Sequence, residues 1–225
     1  TMDPLAEKYY GVSPYAYCMG NPIRYVDLQG DSLTLVGDRE DVALALGVYN
    51  SALGGYNELK VDENGRVSMV PLEKEGQMSR EQQEVYKKLT DVISAEQDVS
   101  ITVQNGTDVL IGDVQNSAID IGDMIAVGDA DCVNSIGLLM HETWEQYQIK
   151  VKKVNVGTAH NRAIEAENNL YMIRSGLKTG VHNIVDGQNR IDIPTERVVN
   201  NRFVYGYVSI QFDWRNNVKY VKREY

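Results

Sequence analysis

Paired turn residues cut this chain into short pieces whose hydrophobic period alternates between that of a helix and that of a strand. Gly54-Gly55, Asn64-Gly65, Asn105-Gly106 and Asn216-Asn217 stand between such pieces. Each pair favours a tight turn that neither a long helix nor a long strand tolerates. The pattern beyond Gly30 therefore predicts an α+β domain over residues 31–225. A strand is expected over 32–36, and Asp38 is placed to cap a helix whose stripe is Val42, Leu46, Tyr49 and Leu53. Strands over 56–61 and 66–70 flank Asn64-Gly65, a strong hairpin signal. Ser79 with Gln82 makes a capping box for a second helix, with Val85, Leu89, Val92 and Ile93 inward. Strands follow over 99–103, 108–111 and 118–127. A third helix is expected over about 133–151 and a fourth over about 158–175, ending at Gly176, before a C-terminal β-hairpin of strands 203–212 and 218–221.

Charge narrows the function. The chain carries 22 Lys+Arg against 32 Asp+Glu, a formal net charge of −10. Such a surface repels phosphate backbones, so no nucleic-acid partner is expected. The longest nearly apolar run, 42–49, falls far short of the roughly 20 residues that span a bilayer, so no membrane insertion is expected either. No charged-then-apolar leader opens the sequence, which puts any export signal outside it. Cys18 and Cys132 have neither disulfide-framework nor zinc-knuckle spacing and are read as two unpaired thiols.

The third helix carries the chemistry. Val133, Ile136, Met140, Trp144 and Tyr147 form its buried stripe, while His141, Glu145 and Gln148 fall at i, i+4 and i+7 on an adjoining face. That spacing lets an imidazole and a carboxylate converge on one cation. Glu142, about 100° around the helix, can act on water held there. The geometry is that of the H-E-x-x-H motif, with Glu in place of the second His. On the fourth helix His160 falls in the expected first turn, with Glu167 seven residues on along the same side. His141, Glu145 and His160 would complete a two-His, one-carboxylate set of the kind that holds catalytic zinc.

Other assignments fit the same residues. Glu142 and Glu145 can be read as solvated helix-face charges, and His160 as a helix-start residue bonded to backbone. Glu165 and Glu167 can pair with Arg162 or Arg174 across helix turns. His182, in an expected loop over 180–186, is read as a surface residue, and Asp120, Asp123, Asp129 and Asp131 as turn formers. Nucleophile-elbow and phosphate-loop patterns are missing.

Residues 1–30 form a separate, extended segment rich in Pro and Tyr: Asp3-Pro4-Leu5-Ala6-Glu7-Lys8-Tyr9-Tyr10, then Ser13-Pro14-Tyr15-Ala16-Tyr17-Cys18, then Asn21-Pro22-Ile23-Arg24-Tyr25-Val26-Asp27. This run closely resembles the end of the core of RHS-repeat proteins, a large tyrosine-rich shell followed by a variable C-terminal toxin or effector. Where that family usually closes with Asp-Pro-x-Gly, this chain has Asp27-Leu28-Gln29-Gly30. The resemblance implies a secreted or cell-surface-delivered bacterial effector, with the RHS shell at its N-terminus and an immunity protein as a further partner.

A second resemblance covers roughly forty residues. Many RHS-linked toxin domains are zincin-like peptidases with an active helix similar to His-Glu-Leu-x-His-Ala-Tyr-Gln and a following helix similar to Glu-x-x-Ala-x-x-x-Glu-Asn. The first pattern falls on His141 to Gln148, with Glu145 at the second His. The second falls on His160 to Asn168, with His160 where the family's acidic ligand stands. The two departures are complementary, His for Glu at one ligand position and Glu for His at the other. The resemblance implies a zincin-like α+β fold, a mixed sheet beside an active-site helix, and a zinc peptidase acting on a protein or peptide. Zn²⁺ would be held by His141, Glu145 and His160, with Glu142 as general base and Tyr171, Arg174 or a C-terminal Tyr as oxyanion donor. Two rival readings are a zincin-shaped recognition or adhesion module without metal, and a toxin hydrolase of another chemistry.

Overall fold

The computed structural model describes residues 33–128, 133–170, 181–199 and 202–224. The segment that resembles an RHS core, both cysteines, Asp129, Asp131, Tyr171 and Arg174 lie outside the described residues. Among those that are described, five helices and three sheets give an α+β architecture.

Strand β1 (Leu33–Val36) turns through Gly37 into α1 (Arg39–Leu53), then the hairpin β2 (Asn57–Val61) and β3 (Val67–Pro71), α2 (Arg80–Ile93) and β4 (Val99–Gln104). Asp38 stands at the N-cap of α1, but its side chain makes no capping bond, contrary to the expectation. Gly54, at φ 61, ends the helix in the left-handed region that glycine tolerates best. In the hairpin Asp62 Oδ1 accepts from the N–H groups of Asn64 and Arg66, fixing the expected turn. The capping box of α2 is made in both directions: Gln82 N–H donates to Ser79 Oγ, and Ser79 N–H to Gln82 Oε1. Such a cap contributes about 1 kcal/mol, and the expected stripe of Val85, Leu89, Val92 and Ile93 is buried beneath it.

The next stretch departs from expectation. No strand forms at 108–111; β5 is the two-residue Gly112–Asp113. The apolar run over 118–127 divides into β6 (Ala118–Asp120) and the helix α3 (Ile121–Val127). Asp120 makes the division. Its Oδ1 accepts from Asp123 N–H and caps the helix, while its Oδ2 accepts from the N–H and hydroxyl of Thr107. Ile121, Met124 and Val127 are then buried at helical spacing. Asp120 and Asp123 are thus buried structural acids rather than turn formers. The central sheet runs β1-β4-β6-β5, with β1, β4 and β6 parallel and β5 antiparallel at one side.

Helices α4 (Ser135–Lys150) and α5 (Val156–Leu170) follow. The tail is larger than the hairpin expected from sequence. It is a four-stranded antiparallel meander of β7 (Val181–Val185), β8 (Gln188–Val199), β9 (Arg202–Phe212) and β10 (Val218–Glu224). Asp186-Gly187, with φ of 52 and 74, makes the β7–β8 turn, so the backbone of His182 belongs to a strand and not to a loop. Val208, Ile210 and Phe212 join the main core, and Asp123 Oδ1 accepts from Val218 N–H at 2.7 Å, tying α3 to the meander. Among the described residues no helix is long and apolar enough to cross a membrane.

Candidate metal centre

Local capping chemistry sets the two site helices side by side. Asn134 Oδ1 accepts from Gly137 N–H at 2.9 Å and starts α4. Asn155 starts α5, its Oδ1 accepting from Thr158 N–H and its carbonyl from Ala159 N–H, both at 2.9 Å. The connection between the helices is short, so they pack as neighbours. Because α5 begins at Val156, His160 lies two residues further into the helix than expected, where its ring faces α4 rather than capping backbone.

The three expected ligands come together. His141, Glu145 and His160 each offer a donor atom, and these atoms lie within 4.8 Å of one another. His141 Nε2 is 3.2 Å from His160 Nδ1 and 3.9 Å from Glu145 Oε2, and Glu145 Oε1 is 3.4 Å from His160 Nδ1. Tetrahedral ligands at the usual zinc bond lengths of about 2.0–2.1 Å stand about 3.3 Å apart, so small adjustments close the set on one ion. The cluster could hold a metal ion.

Glu145 is 3% exposed, which removes the solvated-charge reading for it, and Glu167 is 5% exposed. Their ion partners among the described residues are histidines. Burying two carboxylates without a full counter-charge is expensive, and a cation held by Glu145 beside His141 would lower that cost.

Glu167 is where the structure adds most. Among the described residues its ion partner is His141 on the other helix, and Arg162 donates instead to Gln148; Arg174 lies outside the described residues. Glu167 Oε2 is 3.1 Å from His141 Nδ1. A carboxylate only accepts, so Nδ1 carries the proton and Nε2 is aimed at the cluster. This carboxylate–histidine arrangement fixes the tautomer and orientation of a metal-binding imidazole. The sequence did place Glu167 on the face of His160, seven residues on, but his-to-carboxylate partnership across two helices has no spacing signature. Glu167→Gln should lower metal affinity by about 10–100-fold without unfolding the chain, as measured by competition against a chromogenic chelator. An unchanged affinity would reduce Glu167 to a packing residue.

Glu142 is half-buried on the flank facing β5. A Cβ on Gly112 would meet the Glu142 carboxyl atoms at 2.3–2.6 Å, so glycine is what lets this carboxylate lie against the strand. The preceding Ile111 has φ 65, a strained conformation for a β-branched residue, held where its carbonyl accepts from Asp120 N–H. Gln146, which sequence reasoning passed over, anchors the turn beyond the strand. Its Nε2 donates to Val114 O, and its Oε1 accepts from Ser117 Oγ, both at 2.9 Å.

The charges are strongly coupled. Burial pushes the Glu142 carboxyl up, opposed by the positive charge of His141 and reinforced by Glu145, to about 7. Burial works against the His141 imidazolium, but the Glu167 hydrogen bond and the charges of Glu167, Glu142 and Glu145 outweigh it and raise His141 to about 9. Perturbed titration of this kind is concentrated at functional sites.

No protein-family model, curated protein or solved structure matches this chain.

Proposed function

We propose that this chain is a zinc-dependent peptidase of the zincin type, serving as the C-terminal toxin or effector of an RHS protein. The observation that carries the reading is the convergence of His141 Nε2, Glu145 and His160 Nδ1, with Glu167 behind His141 and Glu142 alongside. Two imidazoles and a carboxylate suit zinc and leave a fourth position open. Zinc bound there would lower the pKa of a water toward 7 and polarise a carbonyl.

Glu142 supplies the proton chemistry. A carboxylate placed beside the ion site can accept a proton from the attacking water and return it to the leaving amine. Strand β5 is the outer, antiparallel strand of the central sheet, and an extended peptide could pair along it past Glu142. That geometry, a mixed sheet with its antiparallel strand next to the active helix, supports the zincin-like reading over a hydrolase of another chemistry. The recognition-module alternative draws on the meander, where Tyr205 is 69% and Trp214 76% exposed. Exposed aromatics suit a protein-contacting face, and in an active enzyme they would serve a substrate or an immunity protein. Delivery outside the producing bacterium follows from the RHS resemblance of residues 1–30 alone.

Purification without chelator or nickel resin, followed by metal analysis, tests the reading. One zinc per chain is expected, with chelator-sensitive cleavage of a peptide library. Failure to take up zinc at saturating concentration would overturn it.

A further inference from the structure

A second polar site lies away from the metal cluster, in a cleft of about 380 Å³ between α2, α4 and α5. Trp144 lines it from α4, about 200° around that helix from Glu142, and Arg162 lines it from α5, about 200° around from His160. Three cations meet there: Lys88 from α2, Arg162 from α5, and Lys152 beyond the end of α4. Among the described residues none of the three has a carboxylate within 4.0 Å. In a chain where 32 acids outnumber 22 bases, three bases without an ion-pair partner in one cleft call for a ligand.

Neutral groups hold these cations in place. Lys88 Nζ stands 4.2 Å from the centre of the Trp144 ring, which stacks at 4.8 Å on Tyr147, and Lys152 Nζ stands 5.2 Å from the Tyr147 ring. Arg162 Nη1 donates to Oε1 of the buried Gln148 at 2.8 Å, which leaves the rest of its planar fork to donate elsewhere. Cation–π contacts, the Tyr147 hydroxyl beside Lys152 and one amide oxygen orient the charges, and no carboxylate is in contact with them among the described residues. Among the described lining residues Glu165 is the one acid; it is exposed, as are Arg162 and Lys152, while Lys88 is half-buried. Burial holds Lys88 below the ordinary lysine range, and the negative charges of Glu84, Asp91 and Glu165 offset it only in part.

We propose that this cleft binds a small oxyanion of the phosphate class. A guanidinium fork with two ammonium groups is the donor set that such a dianion needs, since its oxygens accept from several directions at once. The cleft is roomier than one phosphate requires, so a phosphate monoester with a small organic group also fits the same donors.

Trp144 reports on the site directly, because an anion that draws Lys88 off the ring alters the indole's surroundings. The test uses the full chain with Trp214→Phe, so that Trp144 is the sole tryptophan. Its emission is followed during titration with inorganic phosphate and, separately, glycerol 2-phosphate, with chloride holding the ionic strength constant. A saturable change is expected for both, weakened roughly tenfold or more by Arg162→Gln and by Lys88→Gln. Tighter binding of the monoester would assign the ligand an organic group, and equal binding would assign the free ion. No saturable change would overturn the proposal. So would a phosphate response that survives both substitutions and disappears in His141→Ala, since that anion would be held by the metal cluster instead.

Discussion

Glu142→Gln is expected to cut peptide hydrolysis by a factor of about 10²–10⁴ while leaving zinc stoichiometry and affinity nearly unchanged. The amide fills the same space against Gly112 but neither accepts a proton at neutral pH nor returns one. Because Glu142 lies outside the three converging ligands, the metal should not notice the change. Loss of zinc on this substitution would make Glu142 a ligand, and the assigned roles would have to be redistributed. Gly112→Ala tests the same point from the strand. The added methyl lands 2.3–2.6 Å from the Glu142 carboxyl atoms and must push the carboxylate away. Turnover should fall with zinc retained, although no charge or ligand has been altered.

Much of this centre was legible in the sequence because it depends on helical arithmetic. His141 and Glu145 share a face at i and i+4, and the turn from α4 to α5 is short enough to bring His160 beside them. What could not be read was every relation that crosses between elements without a fixed spacing. Glu167 meets His141 across 26 residues, and Gly112 meets Glu142 across two elements that share no periodic register. The fold shows the same division. The capping box at Ser79 and the turn at Asn64-Gly65 formed as expected, since their chemistry is local. The run over 118–127 departs from expectation because a short helix and a buried strand are alike in apolar content, and the deciding residue, Asp120, acts through a cap and a distant Thr107. The β7–β8 hairpin does carry a local signal, Asp186-Gly187 flanked by Ile184, Val185, Ile191 and Ile193, where the expectation is a loop.

Zinc and protons should act on this domain with opposite pH dependence. In the metal-free protein His141 is raised from about 6.5 to about 9, so its contribution to stability is fully present below 6.5 and is lost as pH rises through 9. Glu142 is raised from 4.5 to about 7, so the folded state also favours its protonated form, and stability drops as that proton leaves. Together they make the metal-free chain less stable as pH rises from about 4.5 to about 9, Glu142 over the lower part of that range and His141 over the upper. Zinc requires the Nε2 of His141 without its proton, so its affinity should climb over the same range and level off above 9. At a free zinc concentration 1,000 times Kd the stabilisation is about 4 kcal/mol. For a domain of this size that is a rise of about 8–16 °C in Tm. Melting curves in chelator should thus fall with pH, while the increment produced by zinc grows. His141→Ala should flatten the first trend and abolish most of the second. A zinc increment independent of pH would mean that His141 does not exchange its proton for the metal, and the ligand set would then have to be drawn without it.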